Sequence, residues 1–386
     1  MIGTIDFNSV WTSPNLPKIV FGKGEIKQLP KICKELGNNC VILYSASIKR
    51  TGLLEKCQSL CNKDGITIAF TKAIIPEPDI HQVNHIVGEM RNHNIDFIIA
   101  IGGGSVLDAG KAVAVISLQG GFAEDYLLGG RIIGKASIPL IAVPSVAGSG
   151  SELSRGAILT YPEKKKKAGI RSGAFMPHTA IVDPELTLTL PLEQVKISGF
   201  DILTHAIETL LSKKSTLMTE VYSLYVIENV CKVLPKALLN LGEIVPRIYL
   251  SFCSMLMGYN LANSSTCLPH RLQYPVGAIT GVAHAVGLAA LYPAWASIID
   301  QKIGKEIIDL KSAMQRGLSL NQMDLGFPEL INYFFEIINL KINLSDMKIT
   351  EKICHDMSEM VEGFVGNDPI WNNDQNLITK IYLNSL

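Results

Sequence analysis

Asp201 and His205 stand four residues apart in Gly199-Phe-Asp-Ile-Leu-Thr-His-Ala-Ile-Glu208, and His270 and His284 follow, in a chain with eight histidines. On a helix, positions i and i+4 lie one above the other, so this carboxylate and imidazole can converge on one point. One carboxylate oxygen and three imidazole nitrogens suit Fe²⁺ or Zn²⁺ and leave room for a substrate oxygen, which is the pattern of a catalytic metal. Without context, a helical Asp and His at this spacing fit a solvated pair or a cap equally well.

Elements that position such residues are legible on either side. The first half alternates apolar runs with amphipathic stretches: Cys40 to Tyr44, a helix over 53–64, Ile66 to Phe70, a helix over 79–93, Asp96 to Ile101, and Ile138 to Val143. Apolar strands separated by helix-length segments predict a doubly wound, Rossmann-like parallel sheet covered on both faces. After residue 186 the strand-like runs stop, and 193–211, 218–234 and 329–338 carry helical spacing of apolar residues. The expected organisation is an α/β domain over 1–186 and an all-helical, metal-binding domain over 187–386, with a site in the cleft between them.

Two turns in the first half suit a dinucleotide. The strand ending at Ile101 runs into Gly102-Gly103-Gly104-Ser105 and then a helix start containing Asp108 and Lys111. Glycines let the backbone approach a ligand, and the helix N-terminus offers free N–H groups to a pyrophosphate. After the Ile138–Val143 strand, the stretch from Pro144 to Glu152 presents Ser145, Val146 and Ser149, whose small side chains and hydroxyls can line the other side.

Composition narrows the function classes. Lys plus Arg and Asp plus Glu number 35 each, so no global field steers the chain to nucleic acid. The basic run from Lys164 to Lys167 is expected to be a solvated loop. The start, Met1-Ile-Gly-Thr-Ile-Asp-Phe7, has no signal-peptide pattern, and no apolar run reaches membrane-spanning length, so a cytoplasmic location without membrane contact is expected. The eight cysteines show neither a CxxC pair nor a disulfide scaffold, and Cys57 and Cys61 should share the buried face of a helix.

Together, in this order, these pieces resemble the iron-containing (group III) alcohol dehydrogenases of the dehydroquinate-synthase-like superfamily. The resemblance runs from Phe21-Gly-Lys-Gly24 through Gly102-Gly-Gly-Ser-x-x-Asp108-x-x-Lys111, Pro144 to Glu152, Asp183-Pro-Glu-Leu186 and Gly199 to Glu208, to the closing histidines. It implies Asp201, His205, His270 and His284 as ligands of Fe²⁺ (or Zn²⁺). It also implies NADP(H) or NAD(H) held by Ser45, Ser47, the glycine-rich turn with Asp108, the Ser145–Ser149 turn and Lys167. The reaction implied is hydride exchange between a small alcohol and its aldehyde or ketone, with a homodimer as the expected assembly. A dehydroquinate-synthase-like lyase or cyclase, or a relative without turnover, are the alternatives; the first fits poorly, because such relatives resemble a Glu-His-His set.

Two departures stand out. Where many members carry a histidine four residues after the third ligand, this chain has Tyr274 in His270-Arg-Leu-Gln-Tyr-Pro275. This His-x-x-x-Tyr-Pro pattern looks like branches acting on acid-tailed substrates, and the planar fork of Arg271 suits a carboxylate, sulfonate or phosphonate, although a helical neighbour of a ligand points about 100° away. The second strand also ends without the Asp that NAD-preferring relatives often carry, so Ser47, Lys49 or Arg50 could accept a 2′-phosphate and NADP(H) is favoured.

Overall fold

A computed structural model describes residues 11–164, 166–302, 304–320, 324–361 and 365–386. The amino-terminal heptapeptide read above and Lys165 of the basic run lie outside the described residues. Two compact units form. One holds Pro14–Leu190 together with Gly242–Ala262; the other holds Pro191–Leu241 and Asn263–Leu386, with the described residues before Pro14.

In the first unit, β1 (Lys18–Phe21), α1 (Leu29–Leu36), β2 (Asn39–Ser45), α2 (Ala46–Arg50), α3 (Leu53–Lys63), β3 (Thr67–Ile74), α4 (Ile80–Met90), β4 (Phe97–Gly102), α5 (Gly104–Gln119), α6 (Ala123–Leu127) and β5 (Leu140–Pro144) follow in order. A hairpin, β6 (Gly156–Tyr161) and β7 (Lys166–Arg171), precedes β8 (Thr179–Val182). Six strands make one parallel sheet in the order β1-β8-β5-β4-β2-β3. Strand side chains alternate in direction, and here both directions are apolar. Val41, Leu43, Ile98, Ala100, Leu140 and Ala142 pack with α4 and α5 residues. Cys40, Ile42, Tyr44, Phe97, Ile99, Ile101, Ile141 and Val143 pack with residues of α1 and α3. That is why these strands read as continuous apolar runs.

The other unit contains α7 (Leu192–Leu211), α8 (Leu217–Leu239), α10 (Leu268–Thr280), α11 (His284–Ile299), α12 (Lys305–Leu318), α13 (Phe327–Ile338), α14 (Glu351–Glu359) and α15 (Gln375–Leu383); α9 (Ile244–Asn263) lies between α8 and α10 in the chain. Helix α7 is buried almost all round from Val195 to Leu211, so Asp201 and His205 are not a solvated pair.

Two expectations are corrected. Nearly all of α9 packs in the first unit, although a boundary at 186/187 would give it to the second. Its reason is local: Gly150 and Gly258 meet backbone to backbone, so closely that a Cβ on Gly258 would lie 2.1 Å from the Gly150 carbonyl oxygen. The basic run is not a loop throughout, since Lys166 and Lys167 pair with Tyr161 and Thr160 in the antiparallel hairpin. The hairpin buries Ala157, Leu159 and Ile170 in the core, while its lysines stay on the outer part of β7.

Candidate metal centre and dinucleotide site

Two constellations form, one in each unit. In the helical unit, α7 supplies Asp201 and His205, α10 supplies His270 as its third residue, and α11 begins with His284. Gly281, at φ +70°, ends α10 and returns its N–H to the Gly277 carbonyl at 2.9 Å, which turns the chain toward His284 within three residues. Asp201 Oδ1 lies 4.0 Å from His270 Nε2 and 3.9 Å from His284 Nε2. One ligand atom from each of these three residues falls within 4.8 Å of the others. His205 joins by its ring, stacked on His270 at 4.7 Å and 28°.

Asp201 Oδ1, His270 Nε2 and His205 Nδ1 are buried without a hydrogen-bond partner. Unmet polar atoms in an interior cost about 1–3 kcal/mol each, so Asp201 Oδ1 and His270 Nε2, converging with His284 Nε2, fit a divalent cation that would satisfy them together, while His205 stands outside that converging group. Burial above all, then the neighbouring His205, drives His270 well below the ordinary imidazole range against the pull of Asp201. The ring is therefore neutral, as a ligand must be.

Residues that the spacing did not single out complete this region. Glu208, fully buried, faces His270 Nδ1 at 2.7 Å. Burial pushes its carboxyl up to about 8, partly opposed by the Cys267 N–H. Gln273 Oε1 meets His284 Nδ1. Gly277 and Gly287 make room for that amide: a Cβ on either would stand 2.9–3.2 Å from Gln273 Nε2. Asp368, far along the chain, accepts the Leu268 N–H at 2.8 Å and the Trp295 Nε1–H at 3.1 Å. Only Glu208 had a readable signal, a carboxylate two helical turns after Asp201.

Tyr274 sits beside the centre, its ring 6.4 Å from that of His284. Arg271 packs on Tyr274, three residues along α10. Its Nη1 donates to the Tyr274 hydroxyl at 3.1 Å, its guanidinium lies 5.7 Å from the centre of that ring, and its Nε is buried without a partner.

In the α/β unit the two small-residue turns leave the carboxyl ends of neighbouring strands. Ser145 N–H bonds the Gly102 carbonyl at 2.9 Å, a Cβ on Gly103 would sit 3.4 Å from Val146, and one on Gly104 would sit 2.8 Å from Ser149 Oγ. A side chain at Gly104 would crowd Ser149, and one at Gly103 would touch Val146, so the two turns lie side by side. The strand order reverses between β2 and β4, the switch point where open α/β sheets bind ligands. At the end of β2 the Ser45 and Ser47 hydroxyls bond each other at 2.8 Å, and Lys49 and Arg50 are exposed.

Two other expected cofactor residues are engaged with protein. Asp108 accepts from Ser151 Oγ and, at 2.9 Å, from the Ile158 N–H. Fully buried Lys111 donates to Ser151 Oγ at 2.6 Å, Ser154 Oγ at 3.0 Å and the Gly156 carbonyl at 2.9 Å, so this pair ties the serine-rich turn to α5. Lys167 Nζ bonds the Glu77 carboxylate at 2.6 Å, and the Glu77 N–H donates to Ser105 Oγ at 3.1 Å.

The description "iron-containing alcohol dehydrogenase" belongs to a family model that matches residues 17–184, and that family's C-terminal domain matches 196–381. This chain belongs to the iron-containing alcohol dehydrogenase family. As a member it is an oxidoreductase. An NAD-dependent methanol dehydrogenase of Bacillus methanolicus is 30% identical over 271 residues, 70% of this chain and 71% of the relative. A probable NADH-dependent butanol dehydrogenase 2 of Bacillus subtilis is 27% identical over 94% of this chain and 97% of its own. The iron-containing alcohol dehydrogenase fold is shared with sulfoacetaldehyde reductase from Bifidobacterium kashiwanohense, solved in complex with NAD⁺, at a TM-score of 0.88 and 24% identity over 97% of this chain and 98% of that one. Among the described residues, no helix is long and apolar enough to cross a membrane.

Proposed function

We propose that the chain is a metal-dependent, nicotinamide-linked reductase of small aldehydes that carry an acidic tail, working as a homo-oligomer. The observation that carries the metal is the convergence of Asp201 Oδ1, His270 Nε2 and His284 Nε2, two of them buried without partners. Asp201, His205, His270 and His284 would hold Fe²⁺ or Zn²⁺, and the two nested turns would hold the dinucleotide. Bound there, the metal supplies Lewis acidity toward a substrate oxygen, and the nicotinamide supplies or takes the hydride.

The chain's own groups do the rest. Ser145, Ser149 and the N–H groups at the start of α5 bind phosphate oxygens. Ser45 and Ser47 would meet the ribose without a carboxylate to repel a 2′-phosphate, which supports acceptance of NADP(H) as well as the NAD(H) named for the relatives. Tyr274 Oη, which accepts from Arg271, would give or take a proton at the substrate oxygen; its ring beside His284 supports this role. Arg271 keeps a buried, unpartnered Nε–H, and pairing it with an anionic tail supports the acid-tailed class. The sulfoacetaldehyde reductase of the same fold offers one such aldehyde as a probe.

The test is reduced-nicotinamide oxidation by protein loaded with Fe²⁺ or Zn²⁺, using NADH and NADPH against sulfoacetaldehyde, phosphonoacetaldehyde and uncharged aldehydes of equal length. Turnover that favours the anionic aldehydes is expected. Full metal content and activity in His270→Ala or His284→Ala would remove the ligand assignment.

A further inference from the structure

Helix α7 carries a second fully buried carboxylate, and the ligand set makes no use of it. Glu208 follows Asp201 by two helical turns and so returns to the same face. Its two oxygens are divided. Oε2 accepts the Cys267 N–H at 2.7 Å, and Oε1 lies 2.7 Å from His270 Nδ1, with the Tyr292 hydroxyl 3.5 Å away and closer to the Thr204 carbonyl, at 3.3 Å. Cys267 is the N-cap of α10 and offers no side-chain cap of its own. The first N–H groups of a helix lack intrahelical acceptors. Here two remote carboxylates take consecutive ones, Glu208 at Cys267 and Asp368 at Leu268, so the turn that presents His270 is held from both sides.

We propose that Glu208 is a positioning residue of the metal centre. Its carboxylate holds His270 as the tautomer protonated on Nδ1, leaves Nε2 bare toward Asp201, and thereby tightens binding of a divalent metal that it does not touch. This rests on the metal reading above. A neutral imidazole has one donor and one acceptor nitrogen. With Nε2 turned toward Asp201 Oδ1, the single proton of the neutral ring belongs on Nδ1, and Glu208 Oε1, 2.7 Å away, accepts it. The opposite tautomer would aim an N–H at the point where Asp201 Oδ1 and His284 Nε2 converge, and no cation could then take Nε2. His284 is backed differently, by the neutral Gln273 amide. Of the two contacts, only the one on His270 can lend the ring a carboxylate's basicity, because the positive charge of a cation held by His270 would draw the proton off the buried Glu208 carboxyl.

The tautomer is read directly in metal-free wild-type protein labelled with ¹⁵N-histidine, by long-range ¹H–¹⁵N correlation. Signals of His270, assigned by their loss in His270→Ala, should show a protonated Nδ1 and a bare Nε2; a protonated Nε2 overturns the proposal. Zn²⁺ affinity is then measured by competition with a chelating dye, alongside the thermal midpoints of the metal-free proteins. Glu208→Gln should bind Zn²⁺ about 10- to 100-fold more weakly. Wild-type affinity in folded Glu208→Gln overturns the role of Glu208, whereas wild-type affinity in His270→Ala overturns the metal reading itself. Should Glu208→Gln fail to fold, the wild-type tautomer decides alone.

Discussion

Arg271 and Tyr274 show how much one contact changes the meaning of a residue. In the sequence, Arg271 is the neighbour of a ligand and a tyrosine stands where a histidine is common. In the fold, the guanidinium lies against the phenol ring and donates to its hydroxyl, and the phenol stands beside His284. Charge-assisted hydrogen bonds contribute about 1.5–3 kcal/mol, so Arg271→Ala should raise KM for sulfonate- or phosphonate-tailed aldehydes by about 10- to 100-fold. Steady-state kinetics on an uncharged aldehyde of equal length should show little change in KM. An equal loss on both substrates would mean that Arg271 merely supports Tyr274.

At the scale of elements, α9 decides the shape of the dinucleotide turn. Ser254 Oγ accepts the Gly148 N–H at 2.9 Å, and Gly150, at φ +62°, lies against Gly258 with no space for a side chain. Gly258→Ala should displace the serine-rich turn, cost about 1–3 kcal/mol by overpacking, and weaken NADH binding about tenfold in a fluorescence titration. Gly88 in α4 is the opposite case, since a Cβ there meets nothing within 4 Å. Gly88→Ala should stabilise the protein by about 0.5–1 kcal/mol in urea unfolding and leave NADH affinity unchanged. Periodicity predicted α4 because it buries one apolar face. It is silent on a contact between two glycines that lie far apart in the chain.

Across the whole molecule, buried ionisable groups and thiols set the response to solvent. All eight cysteines are buried and free, and burial pushes Cys40, Cys57 and Cys253 up to about 12. A thiol reagent should therefore label almost none in native protein at pH 8 and eight after denaturation; rapid native labelling would contradict this packing. Glu152 is raised from 4.5 to about 7, first by burial, with Lys111 drawing it back; Lys111 is itself lowered by burial. A carboxyl raised in the folded state binds more protons than the unfolded chain, so its contribution is greatest below about pH 4.5 and is lost as pH rises through about 7. Glu152→Gln should remove that loss, on the order of 2–3 kcal/mol, so the variant's advantage in thermal midpoint should grow from pH 5 to pH 7.5. A constant difference across that range would place the Glu152 carboxyl in a wetter setting.

The sequence by itself determined the element types, the glycine and serine turns and the three residues, Asp201, His270 and His284, whose ligand atoms converge. Each rests on a short-range rule: apolar runs for strands covered on both faces, 3.6-residue spacing for helices, and a carboxylate and imidazole one turn apart. Only the tertiary structure decided which groups back the histidines, that Asp108 and Lys111 tie down a loop, that Lys167 is paired with Glu77, and that α9 joins the α/β unit. These are contacts between side chains or glycines distant in the chain. Their strength comes from distance and burial, and neither can be read from spacing along the sequence.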